Sequence, residues 1–176
     1  MPTDLIIIVS SLCFSAFFSG MEIAYVSANK IHIEIEKKQK GLLSNLLAKI
    51  TSKPSKFIAT MLIGNNIALV VYGLYMGDIL VTYFSDYITT SNPIVHYVFV
   101  ELSLLTQTLI STLIILVTAE FLPKVFFQIY ANSLLKLFSF PAYFFYTLFT
   151  FISSFVIWIT DLILKFLFKI SFFYFN

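Results

Sequence analysis

Residues 5–28, LIIIVSSLCFSAFFSGMEIAYVSA, decide the fold. A helix needs about 20 apolar residues to cross the hydrocarbon core of a bilayer, and this stretch is long enough. It nevertheless carries Ser19, Gly20 and Glu22 in its second half. An ionised side chain at membrane depth costs at least ~2.5 kcal/mol on insertion scales, so each one needs a partner or a task. TAEFLPK at 118–124 poses the same question with Glu120.

The surrounding chain has the composition of an integral membrane protein. Its 176 residues are 59% hydrophobic, 18% aromatic and only 11% charged, with a mean hydropathy of +0.93, far from soluble-domain values. All eleven basic residues are lysine, so bidentate arginine recognition of phosphate is absent and no nucleic acid is expected as a partner. The single cysteine, Cys13, forms no intrachain disulfide and reads as a buried structural thiol. MPTDLIII lacks a basic n-region, so a retained first span is expected in place of a cleaved signal or a lipid anchor at Cys13.

Three stretches qualify as spans, at about 5–28, 57–77 and 102–122. Seven of the eleven lysines, at 30, 37, 38, 40, 49, 53 and 56, lie between the first two, whereas Asp78–Glu101 carries three acids and no lysine. The positive-inside rule then puts the first connection in the cytoplasm and the N-terminus outside, and span three returns inward at Lys124. A fourth apolar segment, about 140–168, would carry Lys165 and Lys169 outside if it spanned. It reads instead as a juxtamembrane belt helix, kinked or started near Pro141 and interrupted by Ser153, Ser154 and Asp161, with a cytoplasmic C-terminus. Residues 29–52 read as two short amphipathic helices broken at Gly41, with Ile31, Ile35, Leu42, Leu46 and Ile50 on one face and Glu34/Lys38 and Glu36/Lys40 as i,i+4 pairs. His32 and Glu36 share a face that is better read as solvated than as a metal site. The fold class is therefore all-α: three transmembrane helices, a cytoplasmic helical hairpin and a belt helix, forming one membrane domain over 1–176.

The polar residues within the spans suggest a site for a hard cation. Pro123 has no N–H, so the Ala119 carbonyl loses its helical partner close to the Glu120 carboxylate. Asn65 and Asn66 lie some 14 Å past Lys56, and Ser19 about 16 Å before Lys30, at ~1.5 Å per residue. Ser19, Asn65 and Glu120 can thus converge, one from each span, and hard oxygens of this kind suit Mg²⁺ or Ca²⁺ over zinc or copper. Gly20 permits close helix approach, and Glu22 reads as a structural partner for Lys124 near the inner face. The Thr106, Gln107, Thr108, Ser111 and Thr112 face of span three either lines a water-filled entry or bonds across helices.

FFSGMEIAYVSANK at 17–30, LIGNN at 62–66 and AEFLPK at 119–124 together resemble the transmembrane domain of the CNNM/CorC (CorB) magnesium transporters in order and spacing. The resemblance implies a homodimer, with each subunit holding a largely dehydrated Mg²⁺ between its three helices. It implies Ser19, Asn65 and Glu120 as side-chain ligands, with main-chain carbonyls near Ser19 and the Pro123 turn completing the shell. It also implies Mg²⁺ efflux coupled to Na⁺ and placement in a bacterial inner membrane. Two positions depart from the family: Leu69 replaces a second asparagine, and Ala119 replaces the glycine before the glutamate. Full-length relatives carry cytosolic CBS modules and often a C-terminal transporter-associated domain, and neither is expected here. The alternative function is a non-transporting membrane scaffold of the gliding-motility type, favoured by Leu69. An enzyme is not expected, because Ser19 has no histidine base: His32 lies beyond the membrane end and His96 in the outer connection.

Overall fold

The computed structural model describes residues 2–85 and 92–168, and among these every regular element is helical. α1 (Pro2–Ser27) opens with a proline, whose missing N–H costs nothing in a first turn, and continues as a predominantly apolar helix. α2 (Lys30–Lys38), α3 (Leu42–Thr51) and α4 (Pro54–Ser85) follow. Then come α5 (Pro93–His96), a π-helical turn at Tyr97–Glu101, α6 (Ser103–Ile115), a second π segment at Leu116–Phe121, α7 (Leu122–Ile129), α8 (Ala131–Leu137), α9 (Ser139–Leu148) and α10 (Thr150–Phe168). Among the described residues three helices are long and apolar enough to cross a membrane, Thr3–Ser27, Pro54–Ser85 and Ser103–Ile129, the last running through its π segment, and the bent pair Ser139–Leu148 and Thr150–Phe166 makes a fourth if counted as one span. The protein is an all-α integral membrane protein. α4 extends to Ser85, so Asp78 lies within the helix; residues 86–91 of that connection lie outside the described residues.

The chain divides into two units, Met1–Gly20 with Asn65–Ile129 and Met21–Gly64 with Tyr130–Asn176. In the first, the Tyr72 hydroxyl donates to the Ser111 carbonyl at 3.2 Å, joining α4 to α6. A Cβ on Gly77 would stand 2.9 Å from Gln107 Nε2, which marks a close approach of the same two helices. Thr108 bonds back to the Leu104 carbonyl at 2.7 Å and Thr106 to the Val98 carbonyl at 2.8 Å, so these two hydroxyls are satisfied by their own segment. Cys13, expected to be buried, is exposed: it sits on a face of α1 that the chain itself does not cover.

In the second unit the hairpin is held by side-chain caps and by a polar face downstream. Asn29 accepts from the N–H groups of Ile31 and His32 at 2.9 and 3.2 Å, which starts α2. Gly41, at φ +156°, makes the break before α3 in a conformation that side chains disfavour. Asn132, Lys136 and Ser139, at i, i+4 and i+7, read this connection: Asn132 accepts from Asn29 N–H at 2.9 Å, Lys136 pairs with Glu36, and the Ser139 hydroxyl meets the Leu43 carbonyl at 3.3 Å. Above them, the Lys49 and Lys56 ammonium groups lie 5.1 and 5.2 Å from the Tyr143 and Tyr146 rings on α9.

Several local expectations are corrected. α2 buries Ile33 and Glu36, leaving Ile31, Ile35 and Leu42 exposed. Glu34 pairs with Lys37 at 2.6 Å, and Lys40 lies past the helix end while Glu36 pairs with Lys136 instead. The C-terminal segment breaks at Phe149, with a 69° bend between α9 and α10. A helix does start near Pro141, which lies in the first turn of α9, whereas Ser153, Ser154 and Asp161 are interior to α10 and do not interrupt it. The Thr147 and Thr150 hydroxyls beside the break bond the Tyr143 and Tyr146 carbonyls at 2.9 and 2.7 Å, the back-bonding that bends helices. Lys169 lies outside the described residues.

Candidate cation site

α1 presents three serines at i, i+4 and i+8, and all are buried: Ser11 is 5%, Ser15 0% and Ser19 1% exposed. A four-residue spacing, a little over one helical turn, keeps such residues on one face. The middle one finds a partner on α4, where the Ser15 hydroxyl donates to Asn65 Oδ1 at 2.6 Å. A turn later, the Ser19 hydroxyl is buried with no hydrogen-bond partner among the described residues. A buried hydroxyl left unpaired costs about 1–3 kcal/mol, so Ser19 is an oxygen waiting for a donor or a cation.

The next residue, Gly20, is where α7 approaches. A Cβ built on it would stand 2.6 Å from Cγ and Cδ2 of the Phe127 ring, so only glycine fits beneath that aromatic. The helix bearing Asn65 and the helix continuous with Glu120 therefore both meet α1 within about one turn of Ser19. Met21, which follows Gly20, is fully buried.

Glu120 stands in the π segment Leu116–Phe121, where the Leu122 N–H reaches back to the Val117 carbonyl, five residues away. The Thr118 hydroxyl takes the Ile114 carbonyl at 2.6 Å, and Pro123 occupies the first turn of α7. Sequence reasoning expected Pro123 alone to loosen a carbonyl. The structure instead shifts the whole ladder by one residue before the proline, a feature that recurs at functional sites. The Glu120 carboxylate is about a third exposed, and the Lys124 ammonium lies 4.0 Å from it. Ala119 is fully buried, so its methyl fills space that a glycine would leave open.

The remaining residues singled out from the sequence fall in different places. Asn66 faces outward on α4, and Leu69 is half-buried one turn after Asn65. Glu22 is half-buried in the other unit. No cluster of three or more His, Cys, Asp or Glu side chains able to hold a metal occurs among the described residues. The candidate donors are thus mostly neutral oxygens with one carboxylate, a set for a hard cation. Sequence reasoning missed Ser15; its signal was the four-residue serine spacing, hidden because serines are common at helix contacts in membranes.

A model of the cyclin M transmembrane N-terminal domain family matches residues 5–172 of the chain. Comparison with curated proteins gives no match.

Proposed function

The chain belongs to the cyclin M (CNNM) transmembrane-domain family, a family associated with Mg²⁺ transport, and on that premise we propose that it carries Mg²⁺ across the membrane through Ser19, Asn65 and Glu120. The observation that supports this reading most directly is the unpaired, buried Ser19 hydroxyl beside the contacts that α1 makes with α4 and α7.

Mg²⁺ demands near-octahedral oxygens at about 2.0–2.1 Å and sheds water reluctantly. Asn65 Oδ1 has a second lone pair beyond the one that Ser15 occupies, so it remains a ligand while its orientation is held. Glu120 supplies the one formal negative charge. Between ions, Lys124 is its nearest cation, and a bound dication replaces that loose contact. In the π register a carbonyl pairs five residues on, as Val117 does with Leu122, and in this reading main-chain carbonyls near Ser19 and at the Pro123 turn, where a proline removes one N–H from the ladder, complete the shell. Alternating access then amounts to movement of helices around a fixed site.

The finer reading is Mg²⁺ efflux coupled to Na⁺ by a homodimer in a bacterial inner membrane, with the N-terminus outside and the lysine-rich hairpin and α9–α10 belt on the cytoplasmic side. The lysine distribution supports the orientation. The 69° bend favours a belt over a straight fourth span. A scaffold without transport is the second reading, favoured by Leu69 in place of an amide oxygen.

The test is Mg²⁺ titration of the thermal unfolding of the purified chain, comparing wild type with Glu120→Ala, followed by Mg²⁺ flux in proteoliposomes. Stabilisation by Mg²⁺ lost in the variant is the expected outcome. Equal stabilisation of both proteins overturns the site, and binding without flux selects the scaffold.

A further inference from the structure

We propose that the cleft between the last turn of α1, one face of α2 and the α3–α4 corner binds the headgroup of an anionic phospholipid. It has a volume of about 480 Å³ and lies wholly within the second unit. The inference is independent of the cation site and rests only on the chain's being a membrane protein.

The lining is divided by chemistry. Lys30, Glu34 and Lys37 stand at i, i+4 and i+7 on one face of α2, and Tyr25, Val26 and Pro54 supply the apolar wall at the ends of two spanning helices. Lys37 is held by Glu34 at 2.6 Å, whereas Lys30 has no ion-pair partner among the described residues. One uncompensated cation matches the single negative charge of a phosphodiester, and the Lys37 ammonium retains donors beyond the one Glu34 takes. The N–H groups of Ile31 and His32 are already taken by Asn29, so the lysines carry the recognition and the helix start does not.

The position fits a lipid better than a free anion. Tyr25 and Val26 lie in the last turn of the first spanning helix and Pro54 opens the second, so the apolar wall continues into the hydrocarbon level. Val26 is 64% exposed, and Ile31 and Ile35 are exposed on α2 between the lysines. Such a face, apolar with flanking lysines, lies along a bilayer interface. The segment 29–56 carries seven lysines against Glu34 and Glu36, the polybasic character that draws anionic lipid to a juxtamembrane segment.

The experiment measures binding of dioctanoyl-phosphatidylglycerol and dioctanoyl-phosphatidylcholine to the full chain in neutral detergent by native mass spectrometry, with inorganic phosphate as competitor. Lys30→Gln/Lys37→Gln is compared with Lys38→Gln/Lys40→Gln, which removes the same charge from exposed positions outside the cleft. Phosphatidylglycerol is expected to bind more tightly than phosphatidylcholine. The cleft variant should lose between about five- and thirtyfold in affinity, at about fivefold per lysine, while the control stays within twofold. Val26→Asn should weaken the lipid without changing the unfolding temperature. Equal loss in both lysine variants, equal affinity for the two lipids, or full displacement by equimolar inorganic phosphate would each overturn the proposal.

Discussion

Replacing Gly20 by alanine tests a close helix contact in the first unit. The new Cβ would lie 2.6 Å from Phe127 Cγ and Cδ2 and 2.8 Å from Cε2, against a carbon–carbon optimum of about 3.5–4.0 Å. Relief therefore needs a displacement of about 1 Å. Turning the ring about its own axis does not help, because Cγ lies on that axis. α7 must shift or Phe127 must leave its rotamer, and overpacking of this kind costs about 1–3 kcal/mol. For a chain of this length that lowers Tm by about 2–12 °C, at 2–4 °C per kcal/mol. Ser19 adjoins Gly20 and Glu120 belongs to the helix that continues into Phe127, so the same displacement spoils the distances an octahedral Mg²⁺ requires. The Mg²⁺-dependent rise in Tm should shrink or vanish. A double-mutant cycle with Phe127→Ala isolates the cause: in that background Gly20→Ala should cost almost nothing, giving a coupling of about 1–3 kcal/mol. Additive costs, or an unchanged Mg²⁺ response in Gly20→Ala, would refute the reasoning.

Two further perturbations address the polar oxygens. Ser15→Ala removes the hydroxyl that donates to Asn65 Oδ1. Interhelical hydrogen bonds in membranes average about 0.6 kcal/mol, so stability should fall by that order, while isothermal titration should show weaker Mg²⁺ binding as the amide loses its fixed orientation. Tighter binding would mean that Ser15 competes with the ion. Leu69→Asn adds an amide oxygen one turn from Asn65, on the same helix face. The Mg²⁺ affinity measured by titration should rise, and an unchanged affinity would place residue 69 outside the coordination shell.

Much of the fold was written in the sequence because spanning a bilayer is a requirement on single segments. Each span must bury its own backbone hydrogen bonds and present apolar side chains for about 20 residues, and 5–28, 57–77 and 102–122 satisfy this without reference to any partner. The break at Gly41 was legible for a similar reason, since a positive φ is a local demand. Pairwise features were less legible. Glu36 read as a helix-surface residue because its partner, Lys136, is a hundred residues away, and no periodicity announces a long-range ion pair.

By itself the sequence determined the class, the three spans, the lysine asymmetry and the presence of Ser19, Asn65 and Glu120 within apolar helices. Tertiary structure alone decided that Ser15 engages Asn65, that Ser19 is left buried and unpaired, that Phe127 lies on Gly20, and that the ladder around Glu120 adopts π register. The physical reason is the range of the forces involved. Transfer of a segment into lipid sums over its own residues, whereas a hydrogen bond, a close packing contact or a one-residue shift in helical register depends on which neighbour lies within a few ångströms.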